Sequence, residues 1–92
     1  MIVRIPTEGQ FRVDDSLLGQ LNDFDNKLVA LVDHGGEAEF AEVLRQMLDV
    51  VRGKGVRVAD TELVGSTLVL PPADITFAEA QRLFTGEGLI PG

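Results

Sequence analysis

DSLLGQLNDFDNKLVALVDHGGEAEFAEVLRQMLDVVRGKG, residues 15–55, carries two apolar stripes separated by His34-Gly35-Gly36. In the first, Leu17, Leu21, Phe24, Leu28 and Leu31 recur at alternating steps of four and three, the period that gathers side chains on one helix face. Leu18, Val29 and Val32 widen that stripe. The spacing predicts a helix over about 15–33, roughly 28 Å long at 1.5 Å per residue. Asp14-Asp15-Ser16 supplies N-cap oxygens and negative charge at its start, and Gly19 weakens it slightly. In the second stripe Phe40, Leu44, Met47 and Val51 repeat, supported by Val43, Leu48 and Val50, which predicts a helix over about 37–53. Glu37, Glu39 and Glu42 stand early in it and Arg45, Arg52 and Lys54 later, as the helix dipole favours. Gly35 is available for the left-handed position that ends the first helix, and Gly53-Lys54-Gly55 stops the second. Two striped helices with so short a link run antiparallel, so a helical hairpin forms the bulk of the chain.

Before this hairpin, residues 2–13 alternate in the two-residue period of a strand pair. Val3, Ile5, Phe11 and Val13 fall on one face, Arg4 and Arg12 on the other. Pro6-Thr7-Glu8-Gly9 lies between, with Gly9 able to take a positive φ in the turn. After the hairpin, short strands are expected near 56–58 and 67–70, the second ended by Pro71-Pro72. Thr76-Phe77-Ala78-Glu79 fits a capping box, with Ile75 as the preceding staple residue. It opens a helix over about 77–85 that buries Phe77, Ala80, Leu83 and Phe84 and stops at Gly86. The apolar end Gly88-Leu89-Ile90-Pro91-Gly92 is expected to dock as an extended segment. The fold class is therefore α+β.

A chain of 92 residues has room for one core, so residues 1–92 are expected to form a single domain. Hydrophobic residues make up 45% and charged residues 25%, which places the chain among globular rather than disordered sequences. With no cysteine, disulfide frameworks, thiolate metal sites and cysteine nucleophiles are excluded. A net charge of −7 argues against nucleic acid and against unaided binding to anionic lipid, both of which attract basic patches. No targeting segment is recognisable, and no apolar run approaches the roughly 20 residues of a membrane span. The expected location is the cytoplasm, with any membrane contact made through a partner and without direct insertion.

Reactive constellations are scarce. Asp23-Phe24-Asp25-Asn26 begins like a calcium loop, but Leu28 and His34 stand where that loop wants glycine and glutamate, so a solvated helix face is the expectation. His34 is the only histidine and sits where it would meet the last carbonyls of a helix. Gly53-Lys54-Gly55 follows a helix, whereas a phosphate-binding loop precedes one. Ser16 and Ser66 lie in no nucleophile-elbow context. No catalytic residue, cofactor or metal site is expected, and the chain is not expected to be an enzyme.

Three stretches carry a resemblance. MIVRIPTEGQFRVDDSLL (residues 1–18), LVLPPADITFAEA (68–80) and GEGLIPG (86–92) together resemble the PspAA family, the PspA-associated proteins encoded beside PspA in the envelope-stress, or phage-shock, operons of bacteria. Between them the helices match in length and character more than in identity. The resemblance spans the whole chain and implies an accessory role beside PspA, the coiled-coil membrane-remodelling protein of a stressed envelope. It implies no activity, cofactor or catalytic residue.

Two surfaces suit such a role. Arg4 and Arg12 share the strand face away from the helices, where Arg57 would join them, and would receive an acidic partner. Alternatively, Glu8, Asp14 or nearby carboxylates neutralise them as ordinary surface pairs. The second surface is the breadth of the helical stripes, where Leu18, Val29 and Val50 exceed a narrow seam. These are covered within the monomer, by a second copy in a homodimer, or by the helices of a PspA-like partner. The leading expectation is a non-enzymatic interaction protein that binds PspA or a related partner. The alternatives are a small ligand-sensing or enzymatic domain and a self-assembling structural protein.

Overall fold

The computed structural model describes residues 1–84. The expected end of the last helix at residue 85, its stop at Gly86 and the docking of Gly88–Gly92 lie outside the described residues. In chain order the elements are β1 (Ile2–Ile5), β2 (Gly9–Arg12), a 3-10 turn (Asp15–Leu17), α1 (Leu18–His34), α2 (Glu37–Lys54), β3 (Val56–Arg57), β4 (Leu68–Val69) and α3 (Phe77–Leu83). This is the α+β arrangement read from the sequence: N-terminal strands, a helical hairpin, two short strands and a further helix.

Four strands make one sheet in the order β3-β2-β1-β4. β1 and β2 are antiparallel with Val3 opposite Phe11 and Arg4 opposite Gln10. β2 and β3 are also antiparallel, whereas β4 joins the far side of β1 in parallel, Val3 beside Leu68 and Arg4 beside Val69. Single hydrogen bonds extend the short strands by one residue. Val58 N–H donates to Gln10 O at 2.9 Å, Thr67 N–H to Ile2 O at 2.8 Å and Leu70 N–H to Arg4 O at 2.9 Å.

The hairpin turn differs from the reading in one respect. Gly9 takes the expected positive φ of 115°, but Thr7 also stands at φ 70°. Glu8 N–H donates to Ile5 O at 3.0 Å, closing a four-residue turn with Pro6 second and Thr7 third. The third place of a type II turn wants glycine, and a β-branched residue there is strained.

Period-two alternation puts Val3, Ile5, Phe11 and Val13 on the helix side, where all four are buried together with Leu21, Leu28, Met47 and Val51. α1 ends on Gly35 at φ 73°, whose N–H reaches back to Leu31 O and Val32 O. α2 begins two residues later, so the hairpin has the minimal link expected. Gly55 is required for space rather than for φ. A Cβ there would lie 2.6 Å from Val51 O, 2.9 Å from Val13 Cγ1 and 3.1 Å from Phe11 Cβ, so α2 leaves for β3 hard against the sheet.

α3 opens with both hydrogen bonds of its capping box. Glu79 N–H donates to Thr76 Oγ1 and Thr76 N–H to Glu79 Oε1, each at 3.1 Å. The helix is pinned by rings: Phe40 of α2 meets Phe77 at 5.7 Å and 78°, and Phe84 at 5.9 Å and 85°. Such edge-to-face pairs are each worth about 0.5–1.5 kcal/mol beyond the area they bury.

The solvated-face reading of Asp23 and Asp25 needs correction. Asp25 is fully buried, in line with Leu21, Leu28 and Val32, while Phe24 and Leu31 are only half-buried. The contact line of α1 is thus turned by one position from the predicted stripe. Every buried side-chain nitrogen and oxygen among the described residues has a hydrogen-bond partner, Asp25 included. Phe24 tolerates its exposure with Lys27 Nζ 5.9 Å from its ring centre, a cation–π contact.

Candidate partner-binding groove

α2 presents a second face besides the one packed on α1 and the sheet. Phe40, Leu44 and Leu48 repeat every four residues beneath this side and are buried in the core, while Ala41 and Arg45 stand exposed above them. The segment from Ala73 to Phe77, entering α3, stands opposite and contributes Ile75 and Phe77. Between the two walls runs an open groove of about 310 Å³. Along α2 its lining extends from Glu37 to Arg52, about four helical turns or roughly 22 Å. The capping box and the Phe40–Phe77 ring contact hold the second wall against α2, because they fix where α3 starts.

A chain of ion pairs follows the outer edge of this groove. Arg45 Nε donates to Glu42 Oε2 at 3.2 Å and its Nη2 to Glu42 Oε1, while Nη1 donates to Asp49 Oδ2 at 2.9 Å. The other oxygen of Asp49 accepts from Arg52 Nη1 at 3.0 Å, and Arg52 completes the chain with a fork onto Glu8, Nε to Oε1 at 2.7 Å and Nη2 to Oε2. Steps of three, four and three from Glu42 to Arg52 place these groups on one ridge of α2. Glu8 comes from the strained β1–β2 turn, so the fork ties the hairpin tip to the helix.

The electrostatics follow from this geometry. The Arg52 fork holds the Glu8 carboxyl below its ordinary value of 4.5, against a smaller opposing effect of burial. Arg52 is pushed up in turn, chiefly by the bond to Glu8. Glu42 is likewise lowered by Arg45. Both guanidiniums are therefore engaged by carboxylates of their own chain.

The five residues expected to meet a partner are not brought together. Arg4 is exposed on the sheet face away from the helices, with no carboxylate in ion-pair range among the described residues. Arg12 shares that face but pairs with Glu62 at 3.0 Å. Gln10 Nε2 donates beside it to Val64 O at 3.0 Å and Ser66 Oγ at 2.8 Å, so the segment joining β3 to β4 is drawn over part of this face. Arg57 does not join Arg4 and Arg12. Its register places it opposite Phe11, and directly opposed residues share a sheet side, so it points the other way and lies 3.6 Å from Asp60. Leu18 is 45% exposed at the start of α1, beside a shallow depression formed with Met1, Asp15 and Thr67. Val29 and Val50 are half-buried against the core.

The groove itself was missed in the sequence. Phe40, Leu44 and Leu48 read there as part of the hairpin seam, and they are indeed buried in the core; Arg45 and Arg52 read only as complements to the helix dipole. The available signal was the Glu42–Arg45–Asp49–Arg52 spacing, which marks one continuous ridge. Nothing in the sequence assigns Glu8 to that ridge. His34 does meet a late carbonyl of α1, with Nδ1 3.1 Å from Ala30 O. Among the described residues no group of three or more metal-ligating side chains converges, and no helix is long and apolar enough to cross a membrane.

A family model described as PspAA, PspA-associated protein, matches residues 1–92. Comparison with curated proteins and with solved structures finds no match.

Proposed function

The chain belongs to the PspAA family, and we propose that it serves PspA as a non-enzymatic accessory protein that acts by direct binding. The observation that carries the binding part is the groove along α2. Half-buried Ile75 and Phe77 wall it, buried Phe40, Leu44 and Leu48 underlie it, and an ion-paired ridge edges it, a concave surface that suits another folded chain. Its two guanidiniums are held by Glu42, Asp49 and Glu8, an arrangement suited to shaping an edge rather than to proton transfer. In this reading the protein works in the cytoplasm and reaches the membrane only in the company of PspA.

The test is co-migration of the purified chain with purified PspA in sedimentation velocity, with and without vesicles. A joint boundary absent from either protein alone is expected. Two folded proteins that sediment independently under both conditions would sink the direct-binding reading.

A homodimer is a second reading, favoured by the outer sheet face. Val56 is 71% and Val69 49% exposed there, Val56 opposite Arg12 and Val69 beside Arg4. Sedimentation of the chain alone over a range of concentrations decides it. A constant monomer mass would remove the homodimer.

A further inference from the structure

We propose that the outer face of the sheet docks an acidic segment of a protein partner, which sets a carboxylate on Arg4. This surface is separate from the α2 groove and does not depend on PspA being the partner.

Arg4 is a cation left free within that face. Carboxylates are plentiful on this chain, with 15 acidic residues to 8 basic, and Arg12, Arg45, Arg52 and Arg57 are each paired with one. Arg4 has none in ion-pair range among the described residues. Its neighbours explain why: Gln10 opposite and Val69 beside it carry no charge. Gln10 is moreover engaged by the segment that joins β3 to β4, donating to Val64 O and Ser66 Oγ. β1 is an inner strand, so Arg4 stands inside the face rather than at its rim.

Exposed apolar side chains gather on the same side. Among the described residues five large apolar side chains are exposed, and Val56, Leu63 and Val69 belong to the sheet or to its crossing segment. Leu63 follows Glu62, which Arg12 holds, and precedes Val64, whose carbonyl Gln10 holds. Both its flanks are thus tied to the face while its own side chain is fully exposed. A guanidinium among apolar side chains is the combination that protein interfaces favour.

The charge selects the occupant. One free guanidinium amid uncharged neighbours forks onto one carboxylate, whereas nucleic acid and anionic lipid call for several cations together and would meet a chain of net −7. A second copy would bring its own Arg4 to the same face. The two acids of its crossing segment, Asp60 and Glu62, are already held by Arg57 and Arg12.

The probes are two fluorescein-labelled peptides, one alternating Leu with Glu and the other Leu with Lys, titrated against the full chain by anisotropy. The Glu peptide is expected to bind at least about tenfold more tightly, and to lose several-fold in affinity when salt rises from roughly 50 to 500 mM. Arg4→Gln should weaken Glu-peptide binding about tenfold. Arg82→Gln on α3 makes the same change in net charge and should leave binding unaltered. Leu63→Ser, at a side chain with no packing to lose, should weaken binding several-fold. Far-UV circular dichroism identifies a variant that fails to fold, and Leu63→Ser decides if Arg4→Gln is that variant. Equal binding of the two peptides, or an effect of Arg4→Gln no larger than that of Arg82→Gln, would overturn the proposal. A dimer of the chain alone that Val69→Asp dissociates would also overturn it, giving the face to a second copy. So would sedimentation of the chain with phosphatidylglycerol vesicles that Arg4→Gln abolishes, which gives the face to lipid.

Discussion

At the scale of single residues, three backbone positions are set by different constraints and give opposite expectations. Thr7 holds φ 70°, where a Cβ clashes with the backbone and glycine is free to go. Thr7→Gly should therefore stabilise the fold by about 0.5–1 kcal/mol, the relief of strain exceeding the added chain entropy. Gly19 lies in α1 with open space around the position a Cβ would take, so Gly19→Ala should add about 0.5–1 kcal/mol. Gly55 has ordinary φ but backbone and side-chain atoms within 3.1 Å of that position, and Gly55→Ala should cost about 1–3 kcal/mol by overpacking. Urea midpoints of the three variants check the signs. The sequence presents all three simply as turn or helix-breaking residues, since neither a turn type nor the closeness of a neighbouring strand is written in residue identity.

At the scale of elements, the fork between Arg52 and Glu8 joins α2 to the tip of the β1–β2 hairpin across 44 positions in sequence. Its side chains are 34% and 29% exposed, so solvent screens the pair and its contribution is about 1 kcal/mol. Glu8 has its pKa lowered in the folded state. The stabilisation is therefore fully present above the unfolded value near 4.5 and is lost as pH falls through the depressed folded value. A double-mutant cycle of Glu8→Gln and Arg52→Ala, followed by urea unfolding, should show a coupling of about 1 kcal/mol at pH 7 that declines as the pH falls below 4.5. Coupling unchanged at low pH would show that the fork adds nothing as an ion pair. The strained turn and the fork act on the same tip, so Thr7→Gly should also reduce this coupling if the strain is what aims Glu8 at Arg52.

At the scale of the whole molecule, the helical hairpin, the sheet and α3 leave one face of α2 open beside the groove. Phe40 connects this face to the core through its contacts with Phe77 and Phe84. Phe40→Ala should cost about 3–5 kcal/mol, measured by thermal unfolding. Ala41→Trp, at an exposed position that only lines the groove, should stay within about 0.5 kcal/mol of the parent. That contrast separates residues that build the groove from those that only line it.

Sequence by itself determined the existence and kind of nearly every element, because these depend on local causes. Steps of four and three made α1 and α2, alternation put Val3, Ile5, Phe11 and Val13 on one sheet face, and Thr76 with Glu79 made the cap of α3. It also carried the family, through both ends of the chain. Tertiary structure alone decided which side of each helix is covered. α1 packs against both α2 and α3, and that turned its contact line onto Asp25 in place of Phe24. Register alone sent Arg57 away from Arg4 and Arg12. The groove arose because the chain entering α3 meets α2 at Phe40 and stands apart from it beyond, above the buried Leu44 and Leu48, a matter of long-range packing that no period in the sequence encodes.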